Sequence, residues 1–449
     1  MTLWGGRFES DPDRILWDYT VTPEDHRLVV DDIRGSLAHV AMLGDVGLIP
    51  LGEVGQLRDA LEVLLAEAEA GTFEFLDSDE DVHSAVERRV IELTGDIGRK
   101  LHTARSRNDQ IALDVRLYMR RAGEERRRQL TLFAETMIGL AAEHAETVVP
   151  AYTHLQQAQA VPLGHHLLAY VWMALRDRSR FEDLADRLGV SPLGAGAGGG
   201  SSLGIEPGNT ARALGFDVVF ANSMDAVGSR DLVAEHIWCV TQAMVNLSRL
   251  AEELVLWSTT EFGWVTFGDE FTTGSSALPQ KKNPDIAELA RGRAAGAIGS
   301  LTAMLTLQKG LPLTYNRDLQ DDKTHLFAAD DLLAGTLTAL TAMLGSATFD
   351  PPAPSPWVTA LDLAEALVER GVPFREAHHA VGRLVSSLLA EGRGLDEATE
   401  QDLSAADARF EPSDVELVDV VGSVRRRVSE GGGSTASVHR QIEALRRLL

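Results

Sequence analysis

The stretch SRDLVAEHIWCVTQAMVNLSRLAEELVLWSTTEF (229–262) contains neither glycine nor proline over 34 positions. Within it Val233, Ile237, Val240, Met244, Leu247, Ala251 and Leu254 recur at alternating steps of four and three. That spacing lays one apolar seam along a helix, the mark of a bundle helix. At about 1.5 Å per residue such a rod is roughly 50 Å long, well beyond the average globular helix. Working outward, residues 165–188 predict a second long helix and 105–138 a third, interrupted at Gly123. Residues 285–308 and 320–347 also read as helices, and Gly292, Gly296 and Gly299 in the former permit close helix approach. Alternating β-branched patterns are sparse, so the expected class is all-α. At 449 residues more than one core is expected. We expect an N-terminal helical domain (1–105), a central long-helix bundle (106–355) and a C-terminal helical domain (356–449). The proline-rich FDPPAPSPW (349–357) marks the second boundary.

A formal charge of −25 argues against a nucleic-acid partner and against an anionic membrane surface. No uninterrupted apolar run reaches the roughly 18 residues of a membrane span. One cysteine, Cys239, cannot close an intrachain disulfide, and the start MTLWGGRFESDPDR carries acidic residues where a signal peptide is apolar. The chain therefore reads as cytoplasmic. Lysine is scarce: Lys100, Lys281, Lys282, Lys309 and Lys323 stand against 37 arginines. Most lie in or near polar segments, where a compact ammonium is not interchangeable with a guanidinium.

Three such segments stand out. HTARSRNDQ (102–110) crowds the donors Arg105, Ser106, Arg107 and Asn108 at a helix start, a setting that suits a carboxylate. YTHLQQAQ (152–159) puts Thr153 and His154 beside three glutamines. GSSALPQKKNPD (274–285) joins two long helices with paired serines and paired lysines. Ser275 or Ser276 could act as a base there if Lys281 and nearby backbone N–H groups stabilised the alkoxide. Other chemistries fail. Gly194, Gly196 and Gly199 formally match GxGxxG, but a helix precedes them and no strand does, so GAGAGGGSS (194–202) reads as a flexible interhelical loop. His165-His166 and His378-His379 are adjacent pairs about 100° apart on helices, unsuited to chelating one ion. HExxH and cysteine clusters are absent from the sequence, so no metal or organic cofactor is expected.

At these segments the chain resembles the fumarase/aspartase superfamily, whose GSSxMPxKxN loop is met here as residues 274–283. HTARSRNDQ and YTHLQQAQ are similar to the argininosuccinate lyase/delta-crystallin branch. So are LWGGRF (3–8), DIRGSLAHV (32–40), EDVHSAVERR (80–89), YNRDLQDDK (315–323), GVPFREAHHAVG (371–382) and VSEGG (428–432). Leu278 and Ala160 depart from the usual methionine and proline, and no polar group is lost. The resemblance implies reversible elimination of argininosuccinate to arginine and fumarate, in arginine biosynthesis. It also implies a homotetramer with a helical core and active sites shared between subunits. It makes Ser275 and His154 catalytic, Glu288 the partner that orients His154, and Lys281 a support of the reaction. Ser36, Asn108, Thr153, Tyr315, Gln320 and Lys323 match substrate-binding positions, and Asn283 a loop position that meets the substrate carboxylates. We add Arg107 on the strength of its place among the donors at 102–110. Which of Ser275 and His154 handles which proton stays open.

Overall fold

The computed structural model describes residues 13–21 and 23–449, so LWGGRF (3–8) lies outside the described residues. Five long helices dominate: Arg107–Glu143, Leu163–Arg187, Asp231–Trp257, Asp285–Gln308 and Asp322–Gly345. The seam read from sequence is the buried face of the third, where all seven residues are at most 4% exposed. This helix stops at Trp257, five residues short of the expected end. Ser258 and Thr259 donate their hydroxyls to the Val255 and Leu256 carbonyls, and the Trp257 carbonyl accepts from Trp264 N–H at 2.8 Å. Hydroxyls that satisfy terminal carbonyls compete with further helix. Conversely, the expected interruption at Gly123 does not occur, and Arg107–Glu143 runs unbroken for 37 residues. A glycine costs such a helix only about 1 kcal/mol against alanine, too little to break it.

Among the described residues the strands form three two-stranded sheets, and only the antiparallel hairpin Val148–Thr153/Gln156–Pro162 exceeds two residues per strand. Pro150, which cannot donate to a ladder, lies within its first strand and pairs with Ala160.

Two compact units divide the chain, and the five long helices each contribute segments to both. The first comprises residues 1–127, 179–242 and 295–333. Its N-terminal helices Val29–Asp45, Leu51–Glu69 and Val82–Thr94 close on Ile33, Leu43, Leu57, Leu61, Leu64 and Val90, all unexposed. Each such burial is worth about 1.5–3 kcal/mol. Of the three glycines on Asp285–Gln308, Gly296 makes the anticipated close approach: a Cβ there would sit 2.9 Å from Leu332 Cδ1.

The second unit comprises 128–178, 243–294 and 334–449. Its C-terminal helices Ala360–Glu369, Phe374–Ala390 and Glu400–Ala406 close on Leu363, Leu367, Leu384, Leu388 and Leu403. The span 317–345 is long and apolar enough to cross a membrane by length and composition, although Asp330 and Asp331 interrupt its apolar run. Its buried Leu326, Leu333, Leu337, Leu340 and Met343 mark it as a core helix instead.

Candidate active site

The segment at 102–110 is built around Asp109. One carboxylate oxygen accepts Ser106 N–H at 3.0 Å and caps the helix that begins at Arg107. The other accepts the N–H groups of Gly194 at 3.0 Å and Gly196 at 2.8 Å. Both glycines have positive φ, and a Cβ on Gly196 would meet the Gly200 carbonyl at 2.8 Å. The glycine-rich loop is therefore a backbone clamp on the chemistry-bearing segment and not the flexible connection expected. Ala195 of this loop packs with Ala226 and Val227, and Tyr315 lies against that cluster.

A cleft of about 120 Å³ opens in the first unit, and Arg107, Asn108, Tyr315, Gln320 and Lys323 line it together. Five residues anticipated from two distant motifs thus meet at one place. Arg107 is already paired there, with Glu80 at 3.0 Å and Asp81 at 2.8 Å. The carboxamide of Asn108 has no hydrogen-bond partner among the described residues. Gln320 Nε2 donates to the Thr20 carbonyl at 3.0 Å. Ser36 does not join them: it is wholly buried, its hydroxyl accepting from Arg105 at 2.9 Å.

Sequence reasoning missed Asp25, Glu80, Asp81 and His83 on the cleft wall. The last three lie in EDVHSAVERR, quoted only as a family motif, and Asp25 has no motif around it. Burial pushes the Asp25 carboxyl up to about 6 although His83 opposes this. Behind His83 lie the unexposed Asp32 and Asp114. His83 Nδ1 is 2.5 Å from Asp32 and 3.6 Å from Asp114, and Gln110 donates to Asp32 at 2.6 Å. Burial disfavours charge on His83, but Asp32 overrides it and holds the imidazole above its usual value. Burial and the Asp32 charge drive Asp114 well above the carboxylate range. This trio is the one group among the described residues with metal-ligand spacing. Two ligands of one ion at about 2 Å each stand roughly 3 Å apart, so the 2.5 Å contact is that of a shared proton.

The second unit carries the other anticipated residues. His154 and Leu155 form the two-residue tip of the hairpin, with φ of 57° and 55°. Positive φ at both central residues matches strand twist but normally selects Asn-Gly, so this turn is held at a conformational cost. Thr153, His154 and Glu288 are exposed. No hydrogen bond or ion pair joins His154 to Glu288, Ser275 or Lys281 among the described residues of one chain.

The loop Gly274–Lys282 is closed at its neck by reciprocal hydrogen bonds between Thr273 and Asn283, at 3.2 and 2.8 Å. Asn283 Nδ2 adds a third, to Thr273 Oγ1 at 3.3 Å. Ser275 is half-buried and its Oγ accepts from Ala277 N–H at 3.2 Å and Leu278 N–H at 3.1 Å. Ser276, by contrast, is exposed. Two donors aimed at one hydroxyl oxygen favour its anionic form, and they fall on Ser275, the serine that the resemblance names. The lysines separate as well. Lys282 is paired with Asp269, whereas Lys281 has no ion-pair partner among the described residues.

A lyase family model matches residues 6–299, and a model of the argininosuccinate lyase C-terminal region matches 357–425. The argininosuccinate lyase of Carboxydothermus hydrogenoformans is 44% identical, over the full length of both chains. That of Symbiobacterium thermophilum is 45% identical over 98% of this chain and 97% of its own. Among solved structures, an EDDS lyase in complex with formate superposes with a TM-score of 0.80 at 26% identity, covering 96% of this chain and 90% of its own. The fold is also that of a 3-carboxy-cis,cis-muconate lactonizing enzyme from Pseudomonas putida, at a TM-score of 0.76 and 21% identity, covering 97% of this chain and all of that one. With the polar residues of its motifs in place and full-length relatives at this identity, the chain belongs to the argininosuccinate lyase family of carbon–nitrogen lyases.

Proposed function

We propose that the cleft of the first unit binds argininosuccinate and that Ser275 and His154 carry out its elimination to arginine and fumarate. One observation carries this reading. Asn108, Tyr315, Gln320 and Lys323, drawn from two motifs more than 200 residues apart, line a single cleft. The proton to be removed lies next to a carboxylate and is weakly acidic. Its removal gathers charge on that carboxylate, so fixed cations and donors lower the barrier. Lys323 and Asn108 bind substrate carboxylates from the cleft, and Lys281, Asn283 and Thr153 of other subunits supply such cations and donors. Ser275 is the base at carbon, supported by the N–H groups of Ala277 and Leu278. His154 stabilises charge or delivers the proton that the departing guanidino nitrogen needs.

The assembly we propose is a homotetramer with active sites shared between subunits. Thr153, His154, Glu288 and Lys281 are exposed on one chain, and His154 lacks the Glu288 contact that the family pattern calls for. The helix Asp285–Gln308 also leaves Ile298 and Leu305, two turns apart on one face, about half exposed, where a second long helix would cover them. Within this reading the subunit keeps the three-part division at residues 105 and 355. The enzyme works in the cytoplasm and needs no metal or organic cofactor, so turnover should survive a chelator. The ultraviolet absorbance of fumarate tests the function. It should rise with argininosuccinate together with free arginine, and the reading fails if ammonia is released or no fumarate forms.

A further inference from the structure

The cations of the cleft differ in what holds them. Arg107 meets two carboxylates before any ligand arrives. Lys323 is 4% exposed, and its single partner among the described residues is Asp322, at 3.1 Å from Nζ. Consecutive helix residues point about 100° apart, so this contact requires the lysine chain to be turned back toward its neighbour. Asp322 is wholly buried, and its second oxygen is taken by the Nε of Arg230, itself 2% exposed. Arg230 is in turn fixed by the carbonyls of Val227 at 3.1 Å and Ser229 at 2.9 Å. Close by, burial first and then the Arg230 charge press the Arg116 guanidinium down to about 10.

One buried carboxylate therefore stands between two buried cations. Asp322 alone would neutralise Lys323. With Arg230 on its far side, the triad keeps a net positive charge, and that charge appears at the cleft wall. We propose that Asp322, braced by Arg230, is a positioning residue that holds the Lys323 ammonium in place to receive a substrate carboxylate. Without the Asp322 charge the two cations repel and Lys323 leaves its place. This rests on the reading of the cleft as the substrate site.

The test is a double-mutant cycle on the full-length enzyme, with argininosuccinate as substrate. Lys323→Met should raise KM about tenfold or more with a smaller change in kcat. If it behaves as the parent, the substrate reading of the cleft fails and the positioning role falls with it. Given that loss, Asp322→Asn should raise KM by a similar factor, with kcat within about threefold of the parent. The pair Asp322→Asn/Lys323→Met should be no worse than Lys323→Met alone, because both remove one interaction. If the two losses multiply, or if Asp322→Asn lowers kcat and leaves KM unchanged, the positioning role is wrong while the cleft assignment stands. Should Asp322→Asn fail to fold, Arg230→Lys takes its place in the same cycle. A loss absorbed by Lys323→Met supports the proposal, and multiplication of losses or parental kinetics overturns it.

Discussion

The cleft of the first unit and the elements of the second that carry the proposed catalytic residues are built on opposite plans. In the cleft, the proposed function rests on buried carboxyl groups: Asp322 beside Lys323, Asp32 and Asp114 beside His83, and Asp109 clamping the segment that presents Asn108. Those supports lie within one chain and are fixed before substrate binds, which is what low-cost recognition of a charged ligand requires. In the second unit Thr153, His154, Lys281 and Glu288 stand exposed, and what is fixed there is local. Ser275 is aligned by two backbone donors in its own loop, and His154 is held at the tip of a strained two-residue turn. The contrast teaches that binding is prepared inside the subunit, whereas on our reading the chemical groups are completed by other subunits.

The sharpest way to break this division is Ser275→Ala. If Ser275 serves only the chemical step, kcat should fall by about three orders of magnitude or more, roughly 4 kcal/mol of transition-state stabilisation. Ser276→Ala should cost much less, since its side chain is exposed. Steady-state kinetics of both variants decide the matter, and the reverse pattern would move the base along the loop. Next in size is complementation. Inactive His154→Asn and Ser275→Ala chains, mixed and reassembled, should regain measurable turnover if the two side chains reach one site from different chains. Verified mixed tetramers that stay inactive would count against shared sites.

Smaller effects probe the supports. Asp109→Ala strands buried N–H groups of Gly194 and Gly196, at about 1–3 kcal/mol each, so thermal stability should drop and KM rise together. Unchanged melting would show that the glycine loop holds itself. The smallest effect concerns Asp25, whose carboxyl rises from 3.8 to about 6 on burial. A raised acid favours the folded state while protonated and loses that contribution as pH climbs through about 6. Asp25→Asn should therefore stabilise the protein by about 1–3 kcal/mol near pH 8 and hardly at all near pH 4. An equal shift at both pH values would contradict the burial of an ionising group.

The helices were legible because their signal is periodic. The seam from Val233 to Leu254 needs one apolar face, and that face is what the fold buries. The hairpin was not, because Pro150 weakens its strand pattern and the His154-Leu155 tip lacks the residues that positive φ normally selects. In the site, residues inside a recognisable motif were found, among them Asn108, Tyr315 and Lys323. Ser36 was carried over with its motif, yet it faces Arg105 and not the cleft, because a motif does not state which way a helical side chain points. His83 is set by Asp32 and Asp114 behind it, 51 and 31 residues away, and Asp25 by burial beside His83. Tertiary electrostatics of this kind leave no local pattern to read.

The division between a prepared binding site and a separate chemical step is tested most directly by calorimetric titration of argininosuccinate into the Ser275→Ala enzyme. The account predicts saturable binding, with a Kd within about threefold of the parent KM, and no fumarate formed. Loss of binding in this variant, or continued fumarate production from it, would contradict the account.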